Sequence, residues 1–299
     1  MFPNVDFVGN WKRWFIISGV LLSLGIIAML LGRLDLGIDF QGGAQFTATS
    51  ADRQLSEEEV RAALPPGIAD ESVVTTIGNN GYEVRTPVLS QAESQEVEGA
   101  LSDALGAEVS ATSVSPAFGE QLRNQALQAV AAALLIIVAF ISVRFEFSFA
   151  IAAMAALVHD VLLTVGFYAI FGREVSLVTV VAVLTVLGYS LYDTIIIFDR
   201  IRENAPTVGY NRRRFDEMVN VSIRQVIRRS IYTSVFTLIP VTALLIFGES
   251  TLSDFAFALL VGILAGAYSS IFIAPQTLSL FKAWRAGSVR RARRTPRSA

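Results

Sequence analysis

The sequence predicts an all-α membrane protein of six transmembrane helices, with a small α+β domain between the first and second helices. Hydrophobic residues make up 53% of the 299 positions and charged residues 17%, and the mean hydropathy is +0.53. Soluble globular domains carry about 25% charged residues. The apolar residues are also gathered into six runs that approach the ~20 residues a membrane-spanning helix needs. These observations exclude an ordinary soluble enzyme domain.

The apolar runs divide the chain into four parts. Residues 1–33 hold an N-terminal arm and the first helix, 34–121 the α+β domain, 122–281 the other five helices, and 282–299 a basic tail. WKRW precedes the first run and no small-residue cleavage site follows it, so we expect a retained helix rather than a signal peptide. Helices two to six are expected at about 124–143, 149–171, 177–199, 230–247 and 254–275.

The positions of the basic residues predict the orientation. Most of the 24 Lys and Arg fall in the N-terminal arm, the turn at 143–148, a basic loop expected from Arg200 to Arg229, and the tail. Since cytoplasmic segments carry the excess of Lys and Arg, both termini are expected in the cytoplasm and residues 34–121 outside it. The tail KAWRAGSVRRARRTPRSA is expected to contact anionic lipid headgroups, in preference to the phosphates of nucleic acid.

The inserted segment alternates strand and helix patterns in the order βαββαβ, which predicts a ferredoxin-like domain. Ser56 with Glu59, and Ser90 with Glu93, have the spacing of capping boxes at two helix starts. The turn residues GNNG lie between two strand patterns, SVVTTI and YEVRT, and indicate a hairpin. The segment has no glycine-rich phosphate loop, Ser-His pair or metal-ligand cluster. We therefore interpret it as a binding or docking module.

The residue inventory argues against several kinds of chemistry. The chain has no cysteine and one histidine, His159, which excludes disulfides and HExxH zinc sites. Tyr192–Asp193 resembles the YD dipeptide of intramembrane aspartyl proteases, but their second aspartate, in GxGD, has no counterpart because no GD dipeptide occurs. We expect no enzyme activity, no cofactor and no metal.

Three aspartates lie in or at the end of membrane runs. An aspartate near a helix centre costs ~2.5–3.5 kcal/mol on insertion scales, so it usually faces a partner or a polar path. Asp160 is near the middle of the third run, and Asp193 is ~8 Å beyond the middle of the fourth at 1.5 Å per residue. Asp199 is ~120° around the helix from Asp193, so the two do not form one paired site. Its place beside arginines at the membrane interface is an ordinary one.

His159 precedes Asp160 at ~100° around the same helix, so we expect the two side chains to point to different neighbours. A proton shuttle and a plain interhelical hydrogen bond both remain open for this position.

The glycines and one proline indicate features of the backbone. The glycines of GIDFQGG indicate tight turns, and Gly262 and Gly266 have the spacing for close helix packing. Pro240 is expected to kink its helix.

Five motifs in order resemble the SecD/SecF family of protein-export membrane proteins. They are LDLGIDFQGGAQ at 34–45, SVSPAFGEQL after the α+β domain, ALVHDVLLT, GYSLYDTIIIFDRIREN at 188–204, and NVSIRQVIRRSIYTS. Two features depart from the family pattern. The stretch APTVGYNRRR is lengthened, and Arg228 stands beside the arginine, Arg229, that aligns with the family position.

The resemblance implies a helix set of the resistance-nodulation-division type in a bacterial inner membrane, with SecD as the matching half. Implied partners are the SecYEG translocon, YajC-like and YidC-like accessory proteins, and the unfolded exported chain. The proton gradient would promote late translocation. It implies proton-relay roles for Asp193, Arg229, Asp160, Asp199 and His159. The alternatives are a subunit of a proton-driven small-molecule or lipid exporter, and a scaffold without proton coupling.

Overall fold

The computed structural model describes residues 5–49, 53–77, 80–205, 211–248 and 250–292, without the side chains of 250 and 287–292. Part of GNNG, most of APTVGY and the end of the basic tail therefore lie outside the described residues. In chain order the elements are α1 (Trp11–Leu30), β1 (Asp35–Leu36), α2 (Ile38–Gln41), β2 (Gly43–Ala48), α3 (Glu57–Ala62), a 3-10 turn (Ala69–Glu71), β3 (Val73–Ile77), β4 (Gly81–Thr86), α4 (Gln91–Leu105), β5 (Val109–Val114), α5 (Pro116–Arg144), α6 (Phe147–Phe171), β6 (Glu174–Val175), α7 (Leu177–Asn204), α8 (Arg212–Phe247), α9 (Ser250–Phe272) and α10 (Ala274–Ala292).

The described part of the chain contains six helical segments long and apolar enough to cross a membrane. They are α1, α5, α6, α7, α8 and a segment from Thr251 to Ala286 that covers α9 and most of α10. This confirms the prediction of six membrane helices. α6 and α9 are the most enclosed, and helices α1, α5 and α8 expose most of their apolar surface. The bundle therefore has an interior formed chiefly by α6, α7 and α9.

The segment between the fourth and fifth membrane helices is not the predicted basic loop. α7 continues to Asn204, and α8 begins at Arg212, far before the expected start at 230. Arginine is a good helix former, and the Asn211 side chain accepts a hydrogen bond from the Arg214 backbone at the helix start. This first part of α8 is amphipathic, with buried apolar residues every four positions at Phe215, Val219, Ile223 and Ile227.

The α+β domain has the predicted order of strands and helices. β2 to β5 form an antiparallel sheet in the order β3-β4-β2-β5. Both capping boxes are formed, at Ser56 and Ser90. Burial of apolar side chains between the helices and the sheet gives the domain its own core, since about 25 cal/mol is gained per Å² of apolar surface removed from water. Its fully or almost fully buried residues include Phe46, Val60, Val84, Val97 and Leu101.

Two short elements that the sequence patterns did not predict join this domain to the membrane helices. β1, before the domain, pairs in parallel with β6, between α6 and α7. The next turn, α2, ends at Gly42 with φ +80°, and Gly43 follows with φ +137°; both conformations favour glycine. Asp39 in this turn accepts a hydrogen bond from the backbone N of Leu177, at the start of α7, at 3.0 Å. GIDFQGG is therefore a turn, as expected, and also an attachment to α7.

Glycines bring α9 and α7 into close contact. A Cβ added at Gly262 would lie 2.4 Å from Cγ2 of Val186, and one at Gly266 would lie 2.8 Å from Cβ of Ser190. Small residues at such crossings let helices approach in membranes, so the spacing noted in the sequence has the predicted role. Pro240 lies inside α8, which continues as a helix on both sides of it.

The crossing of α1 and α6 provides a test of this packing. A Cβ added at Gly25 would lie 2.8 Å from Cα of Gly166, whereas one at Gly19 on the same helix meets nothing within 4 Å. We expect Gly25→Ala to lower the free energy of unfolding by ~1–3 kcal/mol through overpacking. Gly19→Ala should be neutral or slightly stabilising because alanine favours helix. Unfolding of both variants in detergent measures this, and equal stabilities would contradict the close crossing.

Candidate functional site: buried carboxylates among the membrane helices

Asp160 lies at the centre of the bundle, where α6 meets α7 and α9. Its side chain is 0% exposed. Its Oδ2 accepts hydrogen bonds from Ser190 Oγ at 2.6 Å and Ser269 Oγ at 2.8 Å. Its Oδ1 lies 3.0 Å from His159 Nδ1. Three donors thus surround one fully buried carboxylate, which is how a buried charge or polar group is tolerated.

His159 extends this contact into a row of polar groups. Its Nε2 lies 3.1 Å from Ser18 Oγ on α1. The Ser18 hydroxyl is 3.5 Å from the Tyr268 hydroxyl, which donates to the Trp14 carbonyl at 2.8 Å. A neutral imidazole that donates from Nδ1 to Asp160 can accept from Ser18, whereas the imidazolium donates from both nitrogens. The row therefore accommodates both protonation states of His159 by turning one hydroxyl.

His159 and Asp160 have different neighbours on other helices, as expected, but they also contact each other, which was not expected. Their Cβ atoms do diverge around the helix, but the imidazole is long enough to turn back to the adjacent carboxylate. The contact gives each of these buried side chains a further hydrogen-bond partner. The helix sets the direction of the Cα–Cβ bond, whereas the side-chain torsions let the terminal atoms turn toward a hydrogen-bond partner.

Asp193 occupies a second buried position, between α7 and α8. Its side chain is 3% exposed, and Oδ2 accepts a hydrogen bond from Ser230 Oγ at 2.6 Å. Among the described residues no basic side chain forms an ion pair with it. The neighbouring Arg229 donates from Nη2 to the Tyr192 hydroxyl at 2.6 Å, with its guanidinium 5.8 Å from the centre of that ring. Arg229 is thus bonded to Tyr192, the chain neighbour of Asp193, and not to Asp193 itself.

Arg228 and Arg229 are both exposed and line one surface cleft of about 660 Å³ along α8. Arg229 alone of the two has a described contact with the residue adjacent to Asp193. This contact favours Arg229 for the role that the family alignment predicts. The cleft also includes Gln225, Tyr232 and Phe236.

Asp199 stands apart from both buried carboxylates. It forms an ion pair with Arg202 at 3.0 Å, one turn further along α7, and its side chain is 37% exposed. An exposed pair at this spacing contributes little to stability, about 0.3–0.5 kcal/mol. Of the five predicted relay residues, the structure brings His159 and Asp160 together, places Arg229 near Asp193, and leaves Asp199 at the surface.

The sequence reasoning missed the hydroxyl partners and one charged pair. A serine in a membrane helix is ordinary, so Ser190, Ser230 and Ser269 carried no signal of their own. Asp254, at the start of the sixth apolar run, pairs with Arg173 at 2.6 Å. An acid inside LSDFAF was a recognisable signal of the kind used for the other aspartates. The described residues contain no group of His, Cys, Asp and Glu that could hold a metal ion.

Comparison with known proteins agrees with this arrangement of helices. Residues 97–284 match the family model described as "Protein export membrane protein SecD/SecF, C-terminal". The chain belongs to the SecD/SecF family. It is 37% identical over 285 residues to the protein translocase subunit SecF of Rhodothermus marinus, which covers 91% of each chain.

Fused relatives are longer than this chain. It is 37% identical over 293 residues to protein translocase subunit SecDF of Bacillus subtilis, covering 95% of the chain and 38% of that relative. A crystal structure of SecDF from Thermus thermophilus superposes with a TM-score of 0.84 at 35% identity, covering 95% of the chain and 39% of that protein. A SecDF crystal structure in a super-membrane-facing form gives a TM-score of 0.71. The chain thus corresponds to about two fifths of a SecDF protein.

The three donors around Asp160 lead to a stability prediction. Asp160→Ala leaves Ser190, Ser269 and His159 without their acceptor and opens a cavity, so we expect the free energy of unfolding to fall by ~2–4 kcal/mol. Asp199→Ala removes the same side chain at the surface and should change it by less than ~1 kcal/mol. Thermal or denaturant unfolding in one detergent compares the two variants. Similar losses would show that the Asp160 contacts contribute nothing specific.

Proposed function

We propose that this chain is an auxiliary subunit of the protein-export translocase that acts with SecD and uses the proton-motive force to promote late translocation of unfolded chains. The observation that supports it most is the near full-length match to SecF of Rhodothermus marinus. Fused SecDF relatives, in which this chain corresponds to a part, support SecD as its partner. SecYEG and accessory YajC-like and YidC-like proteins are further partners expected from the family.

The proton step is proposed at Asp193. In the present conformation its carboxyl is bonded to Ser230 while Arg229 is bonded to Tyr192. Ionised Asp193 would attract the nearby guanidinium, and protonated Asp193 would release it, so that a proton changes the contact between α7 and α8. One charge crossing the field contributes ~2.3 kcal/mol per 100 mV. Several protons together could therefore move helices that differ by a few kcal/mol.

Asp160 and His159 are proposed as a second proton-handling group, supported by the row of hydrogen bonds to Ser18 and Tyr268. Asp199 has the least support of the five predicted residues, because its contacts are those of a surface ion pair. α7 carries Asp193 and also supplies Ser190 to Asp160. Movement of this one helix would therefore change the hydrogen bonds of both carboxylates.

The proposed topology has both termini in the cytoplasm of a bacterium and the α+β domain outside the inner membrane. The distribution of Lys and Arg supports it. The strand order β3-β4-β2-β5, in an antiparallel sheet within a βαββαβ chain, supports a ferredoxin-like domain. We assign the basic tail to anionic lipid headgroups.

The absence of cysteine from the chain makes this topology directly testable. Glu98 is exposed on α4 of the domain, and the side chain of Arg213, near the start of α8, is 90% exposed. In intact spheroplasts a membrane-impermeant maleimide should label Glu98→Cys and should label Arg213→Cys only after the membrane is permeabilised. The opposite pattern would reverse the orientation.

The proton step predicts a selective defect for Asp193→Asn. Asparagine can still accept from Ser230 but cannot bind and release a proton, so the variant should assemble with SecD and lose the gradient-dependent increment of export. Asp199→Asn is the matched control and should keep that increment. Export of a secreted substrate into inverted vesicles, with and without an imposed proton gradient, measures the effect. An assembled Asp193→Asn protein that retains the increment would make the chain a scaffold without proton coupling.

A further inference from the structure

Arg85 on β4 stands at the boundary between the α+β domain and the membrane helices, among three carboxylates. Its Nη1 lies 2.7 Å from Glu174 Oε2 on β6, and its Nη2 lies 3.0 Å from Asp35 Oδ2 on β1. Its Nε is 3.9 Å from Glu83 Oε1, beyond hydrogen-bond range. Arg85 and Glu174 have 15% and 16% of their side-chain surface exposed. One guanidinium therefore links the domain to the connection between α6 and α7.

Backbone contacts surround this cluster and make one joint, formed by β1, β6, Asp39 and Arg85. β1 pairs with β6, and Gly37 N donates to the Val175 carbonyl at 2.9 Å. The Asp39 carboxylate accepts from Leu177 N on α7. A Cβ added at Gly37 would lie 2.1 Å from Glu174 Oε1, so the missing side chain leaves the space that the carboxyl occupies. The strand pairing, the Gly37 and Asp39 hydrogen bonds and the Arg85–Glu174 ion pair thus connect the domain to the segment that begins α7.

The charges of the joint do not balance. Asp35, Glu83 and Glu174 face one arginine. Glu71 lines the same cleft as Asp35 and Arg85, and Asp254 on α9 is paired with Arg173 at 2.6 Å. With all acids ionised the three carboxylates exceed the guanidinium by two negative charges. Like charges held together in a partly buried site favour uptake of a proton by one of them.

We propose that docking of the α+β domain onto the membrane helices takes up a proton at Glu174, so that acid on the domain's side of the membrane closes this joint and its ionisation opens it. The inference concerns this chain alone. Its place in a gradient-driven export cycle rests on the proposed function, whereas the proton uptake does not.

The direction of the pH effect follows from the docked state. Burial raises the pKa of Glu174 from 4.5 to about 7, Arg85 opposes the rise, and Glu83, Asp35 and Asp254 add to it. When the domain undocks, the carboxyl meets water and its pKa returns toward its usual value of about 4.3. The docked state therefore binds the proton more tightly, and docking weakens as the pH rises through about 7. Between about pH 5.5 and pH 8.5 the docking constant should fall by roughly 30-fold.

The experiment measures the distance between the domain and the membrane helices in the full chain. Gln95→Cys on α4 and Val181→Cys on α7 are exposed positions, and the chain has no other cysteine. Spin labels at both, in nanodiscs, report docked and undocked distances at each pH. We expect the undocked population to grow as the pH rises toward about 7 and to level off above it. Glu174→Gln, an uncharged isostere of the protonated acid, should stay docked throughout.

Two further variants keep the result decisive. Glu98→Gln removes one negative charge from an exposed site on α4, away from the joint, and should keep the wild-type pH dependence. Asp39→Asn weakens the attachment to α7 and brings the equilibrium into a measurable range if wild-type docking is complete at every pH. A distance distribution independent of pH in both the wild type and the Asp39→Asn background would overturn the proposal. An unchanged pH dependence in Glu174→Gln would do the same.

Discussion

A carboxylate between membrane helices must find its hydrogen-bond donors on those helices, because the hydrocarbon around them offers none. This constraint governs the interior of the bundle. Asp160 is satisfied only where α6, α7 and α9 come close enough for Ser190 and Ser269 to reach it. Gly266 permits that approach by leaving room for Ser190. The buried acid therefore depends on the small residues, because they let the helices that carry its donors come close enough to reach it.

The same constraint gives the two buried aspartates different properties. Asp160 is enclosed by three donors. Moving its carboxyl away from them would leave several buried polar groups without hydrogen-bond partners at once. Asp193 has one described donor, Ser230, and lies beside a basic cleft on the exposed side of α8. A carboxyl with few fixed partners and a nearby guanidinium can gain or lose a proton at a lower cost in free energy. This difference favours Asp193 over Asp160 for the proposed proton step.

α7 joins these sites to the α+β domain. The Leu177 N–H at its start donates to Asp39, its middle supplies Ser190 to Asp160, and Asp193 follows less than one turn later. The domain is thus attached directly to the helix that carries the proposed proton site. A shift of α7 along or around its axis would reach the domain directly at Asp39 and also through β6 and Arg85.

The local features of this protein were determined by the sequence itself. The six membrane helices, the capping boxes at Ser56 and Ser90, and the order of the strands were predictable because hydropathy, capping and turn preferences act over a few residues. The early start of α8 was also encoded locally, but it was missed because only one property of its residues was considered. Its arginines were assigned to a loop by their charge, although arginine also favours helix and every fourth residue there is apolar.

Only the tertiary structure decided which polar groups meet. His159 and Ser18 are 141 positions apart, and Arg85 and Asp35 are 50 apart; no local pattern relates such pairs. The two-residue pairing of β1 with β6 is too short to leave a strand pattern at either end. The sequence could show that buried acids exist and that each needs a partner. Which partner each acid finds depends on helix crossings set by packing over the whole bundle.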